Sequence, residues 1–138
     1  MITVFSTDKP IDHIELYRAF IDRETDGSGT VVLHHGRVKR PGKKLPDFSF
    51  VELRSLVADA DADLARIASQ AVELFALNQA LIVHRLGVLA AGDTVLLAVV
   101  SAATRNLGFA ACSWIVDEVK KEDFIELVER PKGEAPLR

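Results

Sequence analysis

Leu81-Ile82-Val83-His84-Arg85-Leu86-Gly87-Val88-Leu89-Ala90-Ala91-Gly92-Asp93, read with the apolar run Thr94 to Val100 that follows, decides the fold. Ala80 to His84 and Thr94 to Val100 are short apolar runs, and glycine with aspartate lies between them, so the stretch describes two strands joined by a turn. His84 and Arg85 place polar groups where the first strand stops.

Upstream, Ile2, Val4 and Phe5 suggest a strand, and Asp8-Lys9-Pro10 reads as the entry to a helix with the apolar stripe Ile11, Ile14, Leu16, Tyr17, Phe20 and Ile21. Asp22 to Gly29 breaks the chain. Thr30 to Lys39 is a β-branched run, Arg40-Pro41-Gly42-Lys43-Lys44 a turn, and Asp47 to Arg54 alternates apolar with polar residues, so these segments predict a hairpin. Ala58 to Leu77 repeats Leu64, Ile67, Ala68, Ala71, Leu74 and Phe75 at helical spacing. Downstream, Thr104 to Lys121 predicts a helix burying Leu107, Ala110, Ala111 and Trp114 together with Cys112, Val116 and Val119, and Phe124 to Val128 adds a final strand. A hairpin without a crossover helix excludes a doubly wound parallel sheet, so the expected class is α+β, a mixed or antiparallel sheet packed with helices.

A chain of 138 residues fits one domain with its own core. The formal charge of -3 argues against a nucleic-acid binder, which needs a basic face, so any anion site must be local. Cys112, the single cysteine, sits among Ala110, Ala111, Trp114 and Ile115 and reads as a buried thiol in a reducing compartment. No apolar stretch has the length of a membrane helix, and the amino terminus lacks a signal peptide's basic start, so a cytoplasmic protein is expected. The Pro-rich, charged tail from Arg130 to Arg138 is the expected frayed end.

Three groups of residues bear on chemistry. Arg37, Lys39, Arg40, Lys43 and Lys44 place five cations within eight residues. Such clusters are usually solvated, yet strand alternation puts Arg37 and Lys39 on one face, where they can converge on one anion. Arg40, Lys43 and Lys44 are expected to stay in water. Arg105 and Lys120 mark the two ends of the last helix, roughly 22 Å apart at 1.5 Å per residue. They can serve one small ligand only if Arg105 arrives from a neighbouring copy; Lys120 read alone is a cation that complements the helix dipole. The four histidines give no metal set: His34 and His35 face opposite sides of a strand, and His13 and His84 lack partners at ligand spacing. Asp59, Asp61 and Asp63 imitate a calcium loop, but Leu64 stands where glycine is required and Gln70 where glutamate is required. Gly27-Ser28-Gly29 leads into a strand and is a turn.

From about Gly29 to Lys121 the chain resembles the large, catalytic subunit of molybdopterin synthase. The matching residues are Val31-Val32 leading into Gly36-Arg37-Val38-Lys39, then His84-Arg85-x-Gly87, Gly92-Asp93, Arg105 with Phe109, and Asp117 through Val119-Lys120. The resemblance implies an α/β hammerhead fold and a homodimer that takes up two small ubiquitin-like sulfur carriers ending in Gly-Gly, as a heterotetramer. It further implies transfer of sulfur from the carrier's thiocarboxylate to cyclic pyranopterin monophosphate, with no cofactor or metal. Lys120 matches the family's catalytic lysine, and Arg37, Lys39 and a partner copy's Arg105 would bind the substrate. The family places a second lysine in Pro-x-Trp-Lys-x-Glu. Direct counting puts Leu127 there, whereas a gapped alignment loops out Phe124 to Val128 and offers Lys132 within Pro131-Lys132-Gly133-Glu134. Thr104, Lys39, Arg54 and Leu56 also depart from the family's residues. Two other readings stand beside the enzyme: a non-catalytic or repurposed relative that binds anions, and an interaction module whose cations are surface charge.

Overall fold

A computed structural model describes residues 1–133. The elements follow in the order β1 (Ile2–Thr7), α1 (His13–Asp22), β2 (Thr30–Arg37), β3 (Phe50–Ser55), α2 (Ala60–Phe75), β4 (Gln79–Arg85), β5 (Gly87–Leu89), β6 (Thr94–Ala102), α3 (Arg105–Val119) and β7 (Ile125–Arg130). A four-stranded sheet has the order β1-β4-β6-β2, and a three-stranded sheet the order β5-β3-β7. β1 runs parallel to β4; the other pairings are antiparallel. The architecture is α+β, three helices on two sheets, as expected.

The apolar runs around the opening motif form the centre of the larger sheet. Because side chains alternate along a strand, β4 and β6 each supply two faces. Ile82, Ala98 and Val100 join α2 and α3 in the main core, while Leu81, Val83, Leu97 and Val99 meet Phe20 of α1 on the opposite face. Val51, Leu53 and Ile125 of the smaller sheet close onto the main core.

Helix α1 starts later than its sequence suggests. The Asp12 carboxylate accepts from the backbone N–H of Glu15 at 3.1 Å, so Asp12 caps it rather than the Asp8-Lys9-Pro10 entry. Its stripe is only half used: Phe20 is buried, but Ile14, Tyr17 and Ile21 are exposed. α2 is capped by Asp59, and Asp61 instead accepts from the backbone and hydroxyl of Ser6 at 2.8 and 2.6 Å, tying the helix to β1. On α3 the buried residues are Gly108, Ala111, Cys112, Ile115, Val116 and Val119. Ala110 of the expected stripe is exposed, and Trp114 is half-buried against the Phe75 ring at 6.1 Å.

The predicted hairpin does not form. β2 pairs with β6, from Thr30↔Ala102 to Arg37↔Thr94, while β3 pairs with β5 and β7 in the other sheet. After a register shift between Gly36 and Arg37, the backbone stays bonded to the turn before β6: Val38 donates to the Asp93 carbonyl at 2.9 Å, and Gly92 donates back to Val38 at 2.7 Å. The segment between the strands then exceeds the two to five residues of a typical hairpin loop. Phe48 within it is buried but not in a strand. Of the expected frayed tail, residues 134–138 lie outside the described residues; at its start Arg130 is the last residue of β7, and its Nε donates to the buried Glu52 at 3.0 Å.

Candidate functional site

Glycine at 108 sets how close α3 lies to β2. A Cβ there would sit 2.7 Å from Thr30 Cγ2 and 3.1 Å from Val32 Cγ2, both closer than ordinary carbon contacts. With α3 held so near, a cleft of about 320 Å³ opens between the two elements, lined by Val32, His34, Phe109, Cys112, Val116 and Asp117 among others. Burial lowers the His34 imidazole pKa, and the charges of Lys120 and His35 lower it further. His34 Nε2 is buried without a hydrogen-bond partner. Burial also pushes the Cys112 thiol up to about 11, the state of a packed side chain rather than a nucleophile.

His35, on the opposite face of β2, bonds the Thr94 hydroxyl at 2.6 Å and lies 4.3 Å from the His13 ring. His84 is buried in β4 with Nδ1 2.8 Å from the Arg85 carbonyl, and burial lowers its pKa. Its neighbour Arg85 has a buried Nε without a hydrogen-bond partner.

The cations of the sequence fall into separate places. Arg37 ends β2, and its Nε donates to the Gly92 carbonyl at 3.3 Å, so the Gly92-Asp93 turn braces it. Lys39 lies two residues past Arg37, beyond the end of β2, and is exposed as Arg37 is, with the buried Val38 between them. Arg40, expected in water, is a strut: its Nε donates to the Phe48 carbonyl at 3.0 Å and its guanidinium lies 5.0 Å from the Phe48 ring centre. Arg105 opens α3 and Lys120 is its C-cap, both exposed, so a full helix length separates them within one chain. Lys132 lines a shallow cleft with Arg40, Asp47, Phe48 and Ser49, beyond the Arg130 end of β7. In the order of the chain, β7 lies between Lys120 and Lys132.

Residues 6–122 match the family described as MoaE protein. The chain belongs to the MoaE protein family. The molybdopterin synthase catalytic subunit of Pyrococcus abyssi is 36% identical over 114 residues, covering 82% of this chain and 75% of that protein. The crystal structure of molybdopterin synthase from Staphylococcus aureus superposes with a TM-score of 0.78 at 25% identity, covering 99% of this chain and 94% of that one. A complex of subunits 1 and 2 of molybdopterin-converting factor from Helicobacter pylori shares the fold, with a TM-score of 0.70 at 14% identity over 98% of this chain and 92% of that one.

The segment Phe124 to Val128, which the gapped alignment sets aside, belongs to the smaller sheet and core. Phe124 is buried, and Ile125–Arg130 forms β7, paired with β3 along its whole length. Leu127 packs on the main core. Glu134 of the gapped motif lies outside the described residues. Direct counting then puts the motif's glutamate, two residues after its lysine, on Glu129, which the sequence reading passed over. Its carboxylate accepts from the backbone N–H groups of Lys43, Lys44 and Leu45 at 2.8, 2.8 and 2.7 Å. The Leu45 amide, followed by those of Lys44 and Lys43, holds this carboxyl below its ordinary range. The Lys-x-Glu spacing was the one sequence signal that pointed to it.

Among the described residues, no three or more His, Cys, Asp or Glu side chains converge as a metal site, and no helix is long and apolar enough to cross a membrane.

Proposed function

We propose that this chain is a molybdopterin synthase catalytic subunit, a sulfurtransferase of molybdenum cofactor biosynthesis that works with a small sulfur-carrier subunit. The observation that carries the reading is the MoaE match, which runs through Lys120 and both ends of α3. The carrier is ubiquitin-like and ends in a Gly-Gly thiocarboxylate, and the acceptor is cyclic pyranopterin monophosphate. The working compartment is the cytoplasm, and the 138 residues act as one domain.

The chemistry asks for cations from more than one segment, since a phosphate ester and a charged carrier terminus must be held together. Lys120 is the catalytic lysine. It meets the carrier terminus and moves a proton there: as the thiocarboxylate sulfur bonds to the pterin, the displaced oxygen leaves with that proton, and water then cleaves the resulting thioester, releasing the carrier as a carboxylate and leaving the sulfur on the pterin. Arg37 and Lys39 bind the substrate's anionic groups. Arg105 completes the pocket from a second copy, because its own helix carries it a helix length from Lys120. Lys132, which lines a cleft with Arg40, is the lysine left for the family's second position, since direct counting puts the core residue Leu127 there.

The test is reconstitution with thiocarboxylated carrier and the pterin phosphate, following dithiolene product. Wild-type protein forms product and Lys120→Ala does not; full transfer by Lys120→Ala overturns the assignment. A second reading, a relative that keeps the fold without the chemistry, draws on Leu127, which packs on the core where the family has lysine. It predicts a wild-type protein that binds the carrier and forms no product.

A further inference from the structure

The basic segment after β2 is organised from within, by a carboxylate that sequence reasoning assigned no role. Glu129 lies on the same face of β7 as Leu127 and Ile125, the face that turns to the core. Three consecutive amides, those of Lys43, Lys44 and Leu45, point at its two oxygens. Three convergent N–H groups form an anion nest, and bonds from amides to a charged oxygen are among the stronger ones in proteins. The neighbouring residue is shaped to the same contact: a Cβ on Gly42 would collide with Glu129 Oε2 and with the Leu45 carbonyl. Arg40 fixes the other side of the segment through the Phe48 carbonyl. Lys39, Lys43 and Lys44 are exposed, and the backbone of Lys43 and Lys44 is anchored beneath their side chains.

A surface loop with four cations in six residues would repel itself and sample many shapes. Anchoring removes that freedom before a ligand arrives, which is how preorganisation raises affinity. We propose that Glu129 is a positioning residue: it latches the segment Lys39 to Leu45 onto β7 and so holds Lys39 in place for the phosphate of the substrate. This rests on the function proposed above and adds to it a residue that touches no reacting atom.

The experiment uses the full chain with its carrier. Glu129→Ala is expected to raise KM for the pterin phosphate about tenfold while kcat stays within about twofold, since uniform binding rather than transition-state contact is lost. Amide hydrogens of residues 43–45 exchange faster in the same variant. In a double-mutant cycle, Glu129→Ala adds nothing to Lys39→Ala, because both remove the same phosphate contact. Glu129→Gln keeps acceptor oxygen without charge and gives an intermediate KM, which preserves the test where the alanine variant does not fold. An unchanged KM, a fall in kcat at constant KM, or additive effects in the cycle would overturn the inference while leaving the proposed function standing. A wild-type chain that transfers no sulfur overturns both.

Discussion

Alanine at position 108 tests how closely α3 must lie on β2, and the expected effect can be worked from two distances. The added methyl would stand 2.7 Å from Thr30 Cγ2 and 3.1 Å from Val32 Cγ2. Carbon pairs rest at about 3.5–4.0 Å, so the helix or the edge strand must yield by roughly 1 Å at the nearer contact. Overpacking of that kind costs about 1–3 kcal/mol, while alanine is better than glycine inside a helix by about 0.8–1.0 kcal/mol. The difference is a net loss of about 1 kcal/mol, or roughly 4 °C in melting temperature. Thr30→Ser removes the nearer methyl and leaves the backbone alone. In that background Gly108→Ala is expected to be neutral or stabilising by a few tenths of a kcal/mol, so the sign changes with one carbon atom. Urea denaturation of the four proteins at constant m-value measures it. Equal losses in both backgrounds would refute the packing argument, and with it the placement of α3 from which Arg105 and Lys120 project.

Other parts of the molecule give independent checks. Arg130→Ala removes the guanidinium that donates to the Glu52 carboxylate, which is only 4% exposed, and is expected to lower stability by about 3 kcal/mol in chemical denaturation. With its pKa near 11, the Cys112 thiol reacts with an alkylating reagent at pH 8 only as fast as the protein opens; prompt labelling of native protein would contradict its burial. His34, His35 and His84 all have lowered pKa values, with burial the first cause in each. Unfolded histidines take up protons as pH falls through 6.5 and the folded ones resist, so stability is flat above that pH and declines below it. The carboxylate of Glu129, held low, adds a second loss once pH falls below the ordinary glutamate value of 4.5. Denaturation midpoints from pH 8 to 4 would show both, and a midpoint that rises on acidification would be inconsistent with either.

How much of this was legible in the sequence depended on how local the cause was. The runs at Ala80 to His84 and Thr94 to Val100 announced β4 and β6 because each pairs with the other across a short connection. Helix α2 was plain because Leu64, Ile67, Ala68 and Ala71 repeat on one face and all are buried. The partner of β2 was not legible: Thr30 pairs with Ala102, more than seventy residues on, and nothing near Thr30 says so. Alternation after Asp47 therefore suggested a nearby hairpin that the long loop and the competing edge of β6 forbid. The same distance hid Glu129, whose amide partners lie 84 to 86 residues earlier. Lys120 and Arg105 were legible as residues on a helix, and their separation followed from helical rise alone. The brace on Arg37, from the Gly92 carbonyl, was again a contact across the fold.

Subunit mixing tests the composite site most directly. Lys120→Ala and Arg105→Ala are each expected to be inactive, because every pocket in either homodimer lacks one cation. When equal amounts are unfolded and refolded together, half the dimers are mixed, and one of the two pockets in each mixed dimer is intact. Sulfur transfer should return to about one quarter of the wild-type rate. A mixture that stays as inactive as its components would contradict the account, since it would mean that Lys120 and Arg105 act within a single chain or not in one site.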